Sequence, residues 1–110
     1  MPACPKHRNY RNPKILDSAR VAPHCMRCGV AQDGQVVACH SNAIRHGHGQ
    51  SIKAHDIPAY LCPECHDLVD GRNQGLSTLL PREARERIFL EAVYETILWL
   101  LESGTMRRIA

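Results

Sequence analysis

Aromatic residues are scarce in this chain, with one Phe, one Trp and three Tyr among 110 residues. Rings therefore contribute little to a core, and a domain of this size gains much from a metal or disulfide staple. Long apolar runs are absent as well. The longest, Ile97 to Leu101, has five residues, against the roughly 20 that a membrane-spanning helix needs, so a membrane partner is excluded. The opening Met1-Pro2-Ala3-Cys4-Pro5-Lys6 has no apolar stretch, so no secretory leader is expected and the chain is assigned to the cytoplasm. The length is also too small for two independent cores, which makes a single domain the natural reading.

What the chain does have is cysteine and an uneven distribution of charge. In a reducing compartment six cysteines stay as thiols, so paired Cys-x-x-Cys motifs read as metal ligands. The formal net charge of +3 divides unequally: residues 1–60 carry eight Lys/Arg against three Asp/Glu, and residues 61–110 carry six against eight. A basic first half suits a polyanionic partner, nucleic acid above all, with a merely solvated surface as the competing reading.

Residues 1–12 are polar, basic and without periodicity, and are expected to form a flexible or loosely docked arm. Asn12-Pro13 reads as a helix start, Asn as N-cap and Pro in the first position, for a short helix to Arg20 with Ile15, Leu16 and Ala19 on one side. Asp33-Gly34 marks a turn into a strand over 35–39, and Ile57 to Leu61 is its expected partner. Between them, Ser41 to Asp56 has loop composition, with Arg45, Lys53 and the histidines 46, 48 and 55. A second short helix is expected from Cys65 to Asp70, ended by Gly71, and a long one from Pro81 to about Ser103, capped by Gly104. On the long helix, Glu83, Arg87, Glu91 and Glu95 form one stripe, and Phe89, Val93, Ile97 and Leu100/Leu101 form the opposite one. The fully apolar run 97–101 exceeds what one face requires. Deep packing explains it most simply, and a homo-oligomer contact is the alternative.

The two knuckles, Cys25-Met26-Arg27-Cys28 and Cys62-Pro63-Glu64-Cys65, each offer two thiolates from a tight turn. Together they make a closed four-thiolate site of the structural zinc type. Buried free cysteines or a redox dithiol are the competing reading. Cys4 and Cys39 are left over.

Ala19-Arg20 ahead of Pro23-x-Cys25, then Cys39-His40, Gly47-x-Gly49, Lys53-Ala54-x-Asp56 and Cys62-x-x-Cys65-His66-Asp67-x-x-Asp70 together resemble the HNH, or ββα-metal, endonuclease family. Within it, the likeness is to the small prophage-encoded nucleases of the YbcO-like group, over about Asn12 to Asp70. The resemblance implies an α+β domain with a zinc-stapled ββα-metal core (about 35–71), an N-terminal helical segment and a long C-terminal helix. It implies hydrolysis of DNA phosphodiester bonds in a bacterial or phage-infected cytoplasm. In that scheme His40 is the general base and His66 binds a catalytic divalent ion, Mg²⁺ or Mn²⁺. The residue chemistry agrees. Histidine titrates near neutrality, and His66 and Asp70, four apart on a helix, share a face and can reach one ion. Asp56 stands roughly where the family places its middle Asn, and could orient the base or bind the ion. Cys39 stands where an Asp ligand is common. Arg45 and Lys53 fit phosphate contacts.

Other readings compete with these. His40 could be a packed core residue, and His66 a neighbour of the zinc site or a substitute for Cys65 as ligand. For the whole chain the alternative is a non-catalytic zinc module that binds nucleic acid or protein.

Overall fold

The computed structural model describes residues 11–40, 56–71 and 80–109. In chain order these form α1 (Pro13–Asp17), a 3₁₀ turn (Ser18–Val21), β1 (Val37–Cys39), β2 (Ala59–Leu61), α2 (Pro63–Asp70), α3 (Arg82–Glu102) and α4 (Thr105–Ile109). The architecture is mixed helix and sheet, with one two-stranded antiparallel sheet in which Val37 pairs with Leu61, Ala38 with Tyr60 and Cys39 with Ala59. Among the described residues no helix is long and apolar enough to cross a membrane.

The core is built around β2. Ala59, Tyr60 and Leu61 are all fully buried, which a strand achieves only when both faces and its free edge are covered. The α3 helix covers one side and α2 packs beside it. Tyr60 is the hub: its ring meets Trp99 of α3 edge-on, with centroids 6.1 Å apart, and its hydroxyl donates to the Ile15 carbonyl of α1. A buried phenol needs such a partner. Burial also pushes the Tyr60 hydroxyl up to about 12, so it remains a donor at every physiological pH.

The backbone of Tyr60 faces away from β1 and is satisfied twice on that side. Its N–H donates to Thr96 Oγ1 at 3.0 Å, and its carbonyl accepts the N–H of Met26, inside the first cysteine knuckle, at 2.9 Å. The outer edge of β2 is thus closed by a helix side chain and by the knuckle.

Several sequence expectations need adjustment. The first helix is regular only to Asp17 and then tightens into the 3₁₀ turn, where Ser18 Oγ donates back to the Lys14 carbonyl at 2.7 Å. Such back-bonding weakens a helix. Its start is as expected, with the Asn12 side chain accepting the Lys14 N–H and Pro13 in the first turn. The first strand begins at Val37 rather than 35 because Gln32 Oε1 takes the Val36 N–H at 3.1 Å, a bond the strand ladder would otherwise claim. α2 begins at Pro63, two residues before Cys65, since Pro suits the first position. Gly71 ends it in the left-handed conformation, φ 74°.

The largest difference lies in α3. Its buried row is Phe89, Ala92, Thr96 and Leu100, whereas Ile97 and Leu101 face solvent. The run 97–101 is therefore not packed deeply throughout; it wraps from core to surface. α4, beyond Gly104, is an additional helix that packs on α3 and α1.

The arm's last two residues are tied down rather than loose, through Asp56 as described below. The rest of the arm (1–10), the loop 41–55 with Arg45, Lys53 and the three histidines, and the connection 72–79 lie outside the described residues.

Candidate functional site

The four knuckle cysteines converge. Their sulfurs all lie within 4.8 Å of one another, and Cys28 Sγ and Cys62 Sγ are 3.8 Å apart. A tetrahedron of thiolates at about 2.3 Å from zinc has edges of roughly 3.8 Å, the separation of Cys28 and Cys62, so the donor set is of the right size for such an ion. These residues could therefore hold a metal, and the geometry is compatible with zinc. Among the described residues this is the one group of three or more His, Cys, Asp or Glu side chains close enough to share an ion. Cys39 is buried in the core outside it, and His66 does not replace Cys65.

Local structure explains how the two knuckles are shaped. The first is pinched by a bridge between His24 and Ala31, and Gly29 turns it at φ 81° while donating to the Cys25 carbonyl at 3.0 Å. The second straddles the start of α2. Cys62 is the N-cap residue in extended conformation, and Cys65 lies one turn in.

The thiols of the cluster differ in their surroundings. Burial alone would raise the Cys25 thiol, but N–H groups of Cys28, Cys62 and Arg27 and the Cys28 side chain outweigh it and bring it to about 6. Cys62 and Cys65 are pushed up instead, first by burial and then by neighbouring thiols and the Cys25 charge. A divalent ion bound at the centre would favour the thiolate form of its ligands. Arg27, which the sequence reading did not single out, contributes twice: its N–H lies 3.5 Å from Cys25 Sγ and its guanidinium 3.5 Å from Cys65 Sγ. Its place inside the knuckle was the available clue.

His40 follows the last residue of β1. Its Nε2 lies 3.4 Å from Oδ1 of Asp56, which is buried. That carboxylate has two further partners: Oδ1 also accepts from the Arg11 guanidinium at 3.3 Å, and Oδ2 accepts the Asn12 N–H at 2.9 Å. Burial would raise its pKa, but the Asn12 N–H, the His40 ring and the Arg11 charge prevail and hold it below the usual carboxylate range. The sequence brings His40 and Asp56 under suspicion; nothing in it reveals Arg11, 45 residues away from its partner.

His66 and Asp70 do share one face of α2, with Nε2 and Oδ2 2.9 Å apart. At that distance the two side chains form an ion pair or hydrogen bond one helical turn apart. Asp67 belongs to neither pair. Arg45 and Lys53 fall outside the described residues.

No protein-family model, no curated protein and no solved structure matches this chain.

Proposed function

We propose that the chain is a metal-dependent endonuclease of the ββα-metal type that hydrolyses DNA phosphodiester bonds. The observation that carries this reading is the buried carboxylate of Asp56 holding His40 at the end of β1. A histidine oriented by a buried acid is the arrangement general-base catalysis requires. The element order β1, β2, α2, with a cysteine cluster at the α2 start and His66 and Asp70 along it, supports the same reading.

With Nε2–H donated to Asp56, the free lone pair of His40 is on Nδ1, and that atom takes the proton from the attacking water. Asp56 acts by fixing the ring and its tautomer, while its oxygens also accept from Arg11 and the Asn12 N–H. Arg11 and the Asn12 N–H keep that carboxylate ionised and in place. His66 and Asp70 hold the catalytic Mg²⁺ or Mn²⁺, which supplies charge stabilisation at the phosphate and the leaving oxygen. Two protein ligands suffice for a hard cation that keeps several waters. The four cysteines hold a structural zinc. The basic first half, with Arg45 and Lys53, contacts the phosphate backbone without reading sequence.

Plasmid nicking with Mg²⁺ or Mn²⁺ tests this. Wild type is expected to nick, and His40→Ala to lose activity by roughly 10²- to 10⁴-fold with zinc content unchanged and the fold retained by circular dichroism. A wild-type protein that never cleaves but retards DNA in a salt-sensitive way is instead a zinc module that binds nucleic acid.

A further inference from the structure

The first half of the sequence is basic and the second acidic, yet Arg107 and Arg108 come from the second. Folding returns them to basic company. α4 packs on α1, burying Thr105 and leaving both arginines exposed. α1 and the 3₁₀ turn after it bury Ile15, Ser18 and Ala19 and leave Lys14 and Arg20 exposed. Within these three elements four exposed cations stand against one acid, Asp17. The acids of the second half lie elsewhere: Glu64, Asp67 and Asp70 on α2, and Glu83, Glu86, Glu91, Glu95 and Glu102 on α3. Charge is therefore separated by element, more sharply than the two halves of the sequence suggest.

This basic pair of helices adjoins the candidate site. α1 packs on β1 as well as on α4. The residue that caps it, Asn12, gives its N–H to Asp56, the carboxylate that holds His40. Packed elements stand about 8–10 Å apart, so α4 is no more than roughly 20 Å from β1, about six nucleotides along one DNA strand. We propose that α1 and α4 together form a backbone-tracking surface for duplex DNA, on which Lys14, Arg20, Arg107 and Arg108 neutralise phosphates flanking the bond at His40. The inference rests on DNA as the partner named above, and not on cleavage. Cations spread over two neighbouring elements suit a row of phosphates better than one compact anion. Arg108 uses one guanidinium donor on Thr105 Oγ1 at 3.1 Å, which steadies the side chain and leaves its charge in place. A duplex is repelled by the acids of α3 and drawn to α1 and α4.

Fluorescence anisotropy of the full, zinc-loaded chain on a labelled duplex of about 20 base pairs, across a salt series without Mg²⁺ or Mn²⁺, tests the proposal. Wild type is expected to bind with a steep salt dependence. Arg107→Gln/Arg108→Gln should lower the slope of log K against log salt by about 2 and weaken binding roughly 30- to 100-fold at about 0.1 M salt. Lys14→Gln/Arg20→Gln, on the other helix, should do the same independently. Arg82→Gln/Arg87→Gln removes as much charge about 20–30 Å along α3 from its junction with α4. Charges beyond a Debye length of about 10 Å are screened, so this variant should change binding less than about threefold. Zinc content and circular dichroism check that each variant is folded. A wild type that does not bind the duplex overturns the proposal, as do α1 and α4 variants that bind like wild type, or an α3 variant as weak as they are. Preference for double-stranded RNA or for phosphatidylserine vesicles over the DNA duplex overturns it too. A protein that binds as expected but never nicks plasmid supports the surface and overturns the nuclease reading. One that nicks while every variant binds alike does the reverse.

Discussion

Asp56 carries three interactions on two oxygens, and each neighbour is basic or a backbone donor. Its pKa is lowered by folding, so its contribution is fully present above the ordinary carboxylate value of about 3.9 and is lost only as pH falls through the lower folded value. Asp56→Asn is expected to cost about 1–3 kcal/mol near pH 8, and no less near pH 5, where a charged His40 ring would add to the attraction, in urea unfolding of the zinc-loaded protein. A penalty that shrinks on going from pH 8 to pH 5 contradicts the assignment. Much of this site was legible. The spacing of His66 and Asp70 on a helix is a local fact, and their 2.9 Å approach follows from it. The anchoring of Asp56 by Arg11 was not, because it joins segments 45 residues apart and no periodicity encodes such a meeting.

Among the elements, α3 is latched to β2 by one hydroxyl. Thr96 donates to the Ala92 carbonyl at 2.8 Å and accepts the Tyr60 N–H at 3.0 Å, in full burial. Thr96→Val keeps the shape and orphans that N–H, so a loss of about 1–3 kcal/mol is expected in chemical denaturation. Thr96→Ser should recover most of it. Helical periodicity could not have identified this residue, since a Thr in an amphipathic pattern counts as polar and is assigned to the surface. The same weakness misplaced Ile97 and Leu101. Apolar residues surround the C-terminal half of α3 on nearly every side, so the sequence indicates that a helix exists but not which side faces the core. Ends were easier to read: Asn12-Pro13 at the start of α1 and Gly71 after α2 act through chemistry within a turn of themselves. α4, five residues long, is too short to nucleate alone and depends on packing.

At the scale of the whole molecule the cysteine cluster joins two segments far apart in sequence. Cys25 and Cys28 lie on a loop without strand or helix, and Cys62 and Cys65 at the head of α2. Structural zinc binds with about 10–16 kcal/mol, as much as the whole stability of a small domain, about 5–15 kcal/mol. Metal analysis is expected to find about one tightly held zinc per chain, and a strong chelator to abolish the cooperative thermal transition. A metal-free sample that melts like the loaded one rules out the structural ion. The knuckle also donates its Met26 N–H to Tyr60 at the outer edge of β2, and this would give a zinc bound there a second duty. Loss of the ion would free the knuckle and open a rung of an apolar strand, Ala59-Tyr60-Leu61, to pairing with another chain. If the cluster holds zinc as proposed, metal starvation would then register as aggregation, with the ion guarding the chain's solubility.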